Sequence, residues 1–235
     1  MGEDGKSSDG GEREIQMARL KLLLPPEGVL QPNDVYDDPL HFYYRPVVGA
    51  LYRRRIESGL SLLRPPYARI LEIGYGSGLL MPTLVTLAPH VAGVDLASDP
   101  QATGKILRGL GIEAELHKGD IASFSAGEER FDLIVAFSIF EHVADPSTAL
   151  AACARLLQPD GQLLIGMPRV DRLMVPLFDL IGYHGINEHH VTTYRQVVRA
   201  AHNQFILRRF RCFPHGLPRW AGLYFNLLFQ KKPER

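Results

Sequence analysis

The chain has 235 residues, enough for one α/β domain with some decoration, and its 46% apolar and 22% charged content suits a soluble globular protein with a full core. Its 26 Lys and Arg balance 26 Asp and Glu, and this zero formal net charge argues against a general nucleic-acid or anionic-membrane surface, which calls for a basic excess. Cys153 and Cys212 stand far apart among apolar neighbours at no metal-binding spacing, no apolar run approaches the ~18 residues of a membrane span, and the N-terminus lacks the basic-then-apolar order of an export signal. We therefore expect a cytoplasmic protein with reduced thiols.

Residues 1–14, "MGEDGKSSDGGERE", are Gly, Ser and charge with nothing to bury, so a disordered tail is expected there. Residues 15–64 read as an N-terminal helical cap segment, interrupted at "PPEG" and "QPND" and carrying an aromatic cluster of Tyr36, Phe42, Tyr43 and Tyr44. Arg53, Arg54 and Arg55 read as the solvated side of a helix. From residue 65 onward, β-like runs alternate with amphipathic ones. Strands are expected at 69–74, 91–96, 114–119, 132–138, 162–168, 205–213 and 223–231, with helices near 78–88, 99–110, 147–157 and 193–202. Four of the strands, "RILEIG", "VAGVDL", "DLIVAFS" and "QLLIGMP", are apolar almost throughout, which marks strands buried on both faces of a parallel sheet. The alternation implies a doubly wound α/β sheet, whose ligands sit at the carboxyl ends of its strands.

At the first of those ends stands "ILEIGYGSGLL". Gly74, Gly76 and Gly78 follow a strand and precede a helix, as a tight turn with a ligand against its backbone requires. The dinucleotide fingerprint G-x-G-x-x-G/A would need a small residue at position 79, and that residue is Leu79. Instead the third glycine is Gly78, with Glu72 two residues before the first. About twenty residues on, "VAGVDL" ends in Asp95, where a carboxylate can accept ribose hydroxyls; a helix cap would fall better on Ser98 or Asp99.

This combination resembles the class I S-adenosylmethionine-dependent methyltransferases, in particular the small single-domain branch called type 11 or type 23, over about residues 65–200. The resemblance implies a Rossmann-like, mostly parallel seven-stranded sheet with an antiparallel last strand and helices on both faces. It also implies S-adenosyl-L-methionine as methyl donor and S-adenosyl-L-homocysteine as product. On the matching positions, Glu72 would steady the loop through backbone N–H groups, and Gly74, Tyr75, Gly76 and Gly78 would meet the amino-acid end of the donor. Asp95 and Leu96 would lie at the ribose, Asp120 and Ile121 of "HKGDIASF" at the adenine, and Phe137 and Ser138 beside the sulfonium.

"FDLIVAFSIFEHVADP" lacks the Asn/Asp-Pro-Pro-aromatic motif usual in enzymes that methylate amines of nucleic-acid bases, so no nucleic-acid partner is expected. Glu141 and His142 of that segment are typical of the small-molecule branch; Glu141-His142 reads mainly as structural, and His142 is a candidate for proton transfer. The insertion at about 169–192, within a methyltransferase domain spanning 65–235, carries Leu173, Met174, Leu177, Phe178 and Ile181 at helical spacing. It reads either as a helix packed on the core or as a lid over an apolar acceptor. Substrate contacts are expected from Tyr36, Tyr43, Tyr44, Phe178, Tyr183 and His184, with His189 or His190 as a polar contact or base; adjacent histidines seldom share one ion, so no metal is expected. The favoured acceptor is a small molecule or lipid-like intermediate. A protein or tRNA acceptor and a cofactor-binding protein without turnover are the alternatives, and the oligomeric state is not legible.

Overall fold

The computed structural model describes residues 20–32, 38–169, 191–216 and 218–233. The expected tail at 1–14 and the apolar stripe of the insertion lie outside them. Seven strands form one sheet in the order β3-β2-β1-β4-β5-β7-β6. They are β1 (Arg69–Ile73), β2 (His90–Asp95), β3 (Glu115–Lys118), β4 (Phe131–Phe137), β5 (Leu157–Pro168), β6 (Phe205–Phe213) and β7 (Tyr224–Lys231). β3, β2, β1, β4 and β5 pair in parallel, and β7 runs antiparallel between β5 and β6. Between β1 and β4 the order reverses, so the loops at the carboxyl ends of these two strands diverge and leave a crevice.

The sheet buries both faces because its central strands alternate between two apolar clusters. Ile70, Val91, Leu133, Val135, Leu164 and Leu228 pack with α1 (Pro46–Leu60), the short α2 (Met81–Leu84) and Leu107 of α3 (Pro100–Gly109). Leu71, Ile73, Ala92, Val94, Ile134, Ala136 and Leu163 face the other way, toward α4 (Pro146–Leu156) and α5 (Tyr194–Ala201). A strand with side chains to both faces and an apolar layer on each side must be apolar throughout, which is the pattern its sequence carries.

Caps fix the helix starts. Asp99 accepts from the amides of Gln101 and Ala102, Asp145 from those of Ser147 and Thr148, and each precedes a proline at the first helical position. Thr193 and Gln196 form a capping box at α5, while Thr192 donates its hydroxyl to Val143 O at 2.6 Å.

Two expectations change. The helix expected at 78–88 shrinks to the four residues of α2, flanked by hydrogen-bonded turns of the Met81 N to Gly78 O type, because Pro82 removes a donor and the glycine loop occupies the approach. The strand expected at 162–168 begins earlier, at Leu157, and passes through a register irregularity with Asp160 at φ 62°.

Candidate active site

The glycine loop leaves β1 with Gly74, Gly76 and Gly78 at φ 74°, 52° and 81°, in the left-handed region that favours glycine. What surrounds them differs. A side chain at Gly74 would run into Ile139, which follows β4, and one at Gly78 would press on Thr103 and Leu107 of α3 at 3.2 and 3.3 Å. Only Gly76 opens into space, with Asp38 Oδ2 the nearest group at 3.8 Å from where a Cβ would lie. Thus Gly74 and Gly78 admit neighbouring side chains, and Gly76 is the step a ligand can approach. Tyr75 is 2% exposed, packs against Gly93, and donates its hydroxyl to Ser98 O at 3.4 Å.

The loop is tied to β2, not to its own strand. Asp95 accepts from Gly76 N at 2.9 Å through Oδ2 and from Ala97 N and Ser98 N at 2.8 Å through Oδ1. A carboxylate has about four acceptor sites, so roughly one is left for a ligand. Asp95 O also accepts from Gly119 N at 2.8 Å, which draws the end of β3 alongside. Asp120 therefore stands next to Asp95, exposed, with Oδ1 engaged by Ala122 N, while Ile121 is 8% exposed and joins the apolar core. Leu96 is 60% exposed beside them.

Glu72, expected to hold the loop amides, accepts none of them. It lies between Gly93 and Val135 in the middle of the sheet, 6% exposed, and its Oε2 has no partner. Burial, reinforced by the charge of Asp95, pushes its carboxyl well above the usual range. Asp95 has taken the loop-holding role because its position at a strand end allows its side chain to turn along the chain.

At the end of β4, Phe137 inserts its ring where Gly59 of α1 and Gly166 of β5 leave room. Ser138 adopts φ 57°, unusual for a residue with a Cβ, donates its amide to Gly166 O at 2.7 Å, and places its hydroxyl 3.0 Å from that of Tyr224. Glu141 is 1% exposed in the turn Phe140–His142, with Oε2 unpartnered. Burial pushes its carboxyl up to about 8, against the lowering pull of its own backbone hydrogen bond and of Arg55. Its main-chain oxygen accepts from Val191 N and Thr192 N. His142 is exposed.

Arg55 was expected on a solvated face and is not there. Its guanidinium lies 4.1 Å from the ring centre of Tyr52, 5.0 Å from Tyr224 and 6.0 Å from Tyr43, with Nε enclosed and unpartnered. Nη2 donates to the Tyr43 hydroxyl at 3.3 Å. Burial disfavours its charge, but the surrounding tyrosine oxygens more than offset this. Tyr224 is buried, and its phenol is pushed up by desolvation. Tyr43 is thus in the site's wall, whereas Tyr44 donates to Pro25 O at 3.0 Å and braces the cap. Tyr36, Phe178, Tyr183, His184, His189 and His190 lie outside the described residues.

Sequence reasoning missed Arg55 and Tyr224 and read Glu141 as structural. Its one usable signal was a charged residue inside an otherwise apolar stretch, "SIFEHV". A depression of about 250 Å³ beside Arg64, Tyr67, Asp132 and Gln162 opens at the other ends of the strands and takes no part in this arrangement.

The family model described as a methyltransferase domain, type 23, matches residues 45–204. Among curated relatives, the chain is 33% identical over 101 residues to the ubiquinone biosynthesis O-methyltransferase of Hahella chejuensis, covering 42% of each chain. Its counterpart in Xanthomonas axonopodis pv. citri is 32% identical over 120 residues, 49% of each. The chain thus spans less than half the length of these relatives. Among solved structures, it resembles the N-methyltransferase NodS of Bradyrhizobium japonicum WM9 in complex with S-adenosyl-L-homocysteine, at TM-score 0.59 and 20% identity over 84% of this chain and 93% of that one. An S-adenosylmethionine-dependent methyltransferase of Clostridium acetobutylicum gives TM-score 0.62 at 14% identity, over 81% and 96%. At such identities these structures speak for the fold.

Proposed function

The chain belongs to the type 23 family of methyltransferase domains, and from that membership we propose that it transfers a methyl group from S-adenosylmethionine to a small-molecule or lipid-like acceptor. The observation that carries this reading is the open Gly76 step, framed by Asp95 and by a buried Glu72 whose Oε2 has no partner. A buried carboxyl without a partner is costly in the empty protein and suits a ligand that brings a cation, such as the ammonium of an amino acid. Asp95 retains about one acceptor site for a ribose hydroxyl, and Asp120, engaged through one oxygen, has the other for an adenine amino group. The residues present therefore fit the donor.

When bound, S-adenosylmethionine supplies a methyl group made electrophilic by its sulfonium. The chain needs no covalent nucleophile for that chemistry; its task is to align the acceptor, exclude water and accept a proton where the acceptor carries one. Alignment alone contributes on the order of 7–11 kcal/mol in favourable cases. Ser138 and Ile139 bring the end of β4 up to the loop, Ile139 by packing directly on Gly74. The names of the curated relatives support a small or lipid-like acceptor. A reducing, cytoplasmic setting suits the buried thiol of Cys153.

The test is direct. S-adenosylhomocysteine should raise the melting temperature of the protein and NADH should not. Incubation with S-adenosylmethionine and an acceptor panel should then yield S-adenosylhomocysteine. A shift by NADH alone would reject the reading.

A further inference from the structure

Five separated pieces of chain bring polar groups to one place beside the end of β4. They are Tyr43 of the turn Pro39–Tyr44, Arg55 of α1, Ser138 after β4, Glu141 of the next turn, and Tyr224 at the start of β7. Their hydrogen bonds are incomplete in a particular way. Arg55 Nε and Glu141 Oε2 are both enclosed and both unpartnered, and although Arg55 acts electrostatically on Glu141, the two form no ion pair. Folding enclosed a carboxyl oxygen and a guanidinium nitrogen and left each with an open position, which is costly unless something polar completes them.

We propose that the reacting group of the acceptor is a hydroxyl bound between Arg55, Tyr224 and Glu141, where Glu141 takes its proton and Arg55 holds the resulting oxyanion. This rests on the methyl-transfer reading above and specifies its substrate class.

The donor set decides for oxygen over nitrogen. Arg55 presents N–H groups and a fixed positive charge, and Tyr224 presents a phenol that burial keeps protonated at neutral pH, with the Tyr43 hydroxyl alongside. Such an array stabilises a negative oxygen and repels a protonated amine. The charge balance also closes. In the reactive form, reached as Glu141 ionises toward pH 8, the negative charge beside Arg55 sits first on Glu141; after proton transfer it sits on the acceptor oxygen, still beside Arg55. The oxygen lone pair then forms the C–O bond, the C–S bonding pair stays on sulfur as the thioether, and the proton leaves from Glu141 to solvent. Burial raises Glu141 to about 8, near working pH and closer to a phenol's ordinary value than a free carboxyl is. Among the described residues, the charged and titratable groups acting on Glu141 are Arg55 from α1, which lowers it, and Tyr224 from β7, which it raises in turn.

The full chain loaded with S-adenosylhomocysteine is titrated with 4-nitrophenol, whose ionisation is visible in its absorbance, and with 4-nitroaniline as the nitrogen counterpart. Wild type should bind the phenol as phenolate, with its ionisation displaced toward lower pH, and should bind the aniline at least tenfold more weakly. Arg55→Met should lose about tenfold in phenolate affinity, the scale of one charge-assisted hydrogen bond. Glu141→Gln should abolish the weakening of phenolate binding that wild type shows as pH rises through about 8. If Arg55→Met does not fold, Tyr224→Phe serves instead and should weaken phenolate binding severalfold while S-adenosylhomocysteine binding is unchanged. Equal binding of aniline and phenol, absence of phenol binding, or variants indistinguishable from wild type would overturn the proposal. If wild type does not bind S-adenosylhomocysteine, the methyl-donor reading fails, and the same titration without it still decides whether an oxyanion site exists.

Discussion

Asp95 Oδ2 accepts the amide proton of Gly76 at 2.9 Å, while Oδ1 holds the amides of Ala97 and Ser98, so one carboxylate at the end of β2 sets the conformation of the loop that leaves β1. The residue proposed to meet the ribose is therefore also the one that shapes the glycine loop. Replacing Asp95 by Ala should weaken S-adenosylhomocysteine binding about 10- to 100-fold by calorimetry. Because three amides lose their acceptor together, hydrogen exchange at Gly76, Ala97 and Ser98 should speed up in the same variant without ligand. Unchanged exchange with weakened binding would separate the two roles.

Gly74 and Gly76 share left-handed backbone but not surroundings, and substitution should distinguish them. Gly74→Ala adds a clash with Ile139 to the backbone strain and should cost about 2–4 kcal/mol in denaturant unfolding. Gly76→Ala meets open space and should cost only about 1–2 kcal/mol, yet weaken S-adenosylhomocysteine binding more. The double variant Gly74→Ala, Ile139→Ala should be more stable than the sum of its single effects, since each removes the other's obstacle.

Glu141 makes stability depend on pH in the direction opposite to that of a paired carboxylate. Its folded value, about 8, lies above its unfolded value near 4.5, so the folded state holds the extra proton between them. The stabilising contribution is complete below pH 4.5 and is lost as pH rises through about 8. Glu141→Gln should therefore melt close to wild type at pH 5 and above it at pH 8 or 9, read from melting temperature against pH. Gln preserves the main-chain oxygen that anchors Val191 and Thr192, so a change seen equally at all pH values would point to packing instead.

Glu72 is raised by the same burial and by Asp95. If it meets the donor's ammonium, binding lowers it again and releases a proton, and affinity for S-adenosylhomocysteine should rise with pH across the interval between its bound and free values. Calorimetry in two buffers of different ionisation enthalpy measures that release directly. Glu72→Gln should bind without it.

The strands were legible because a doubly covered sheet demands apolar runs and there is no other use for "DLIVAF" or "QLLIGM" in a chain of this composition. Three helix starts were legible to within a residue, expected near 99, 147 and 193 and found at Pro100, Pro146 and Tyr194, where Asp99, Asp145 and Thr193 cap them. Helix α2 was not, because Leu79 to Leu87 has helical apolar spacing that a proline and a preceding glycine loop overrule. Arg55 was misread for a related reason: three successive arginines look solvated, and only the approach of Tyr52, Tyr43 and Tyr224 encloses the third.

By itself the sequence determined the sheet, the glycine loop and the carboxylates at the strand ends, since each depends on neighbours a few residues away. Tertiary structure alone decided which acid holds the loop, Asp95 and not Glu72, because a hydrogen bond between strands depends on their register. It alone decided that Gly74 is small for Ile139 and that Gly76 is the open step. And it alone gathered Arg55, Tyr224 and Glu141 from positions as far apart as 55 and 224, a convergence of charge and burial that no local pattern encodes.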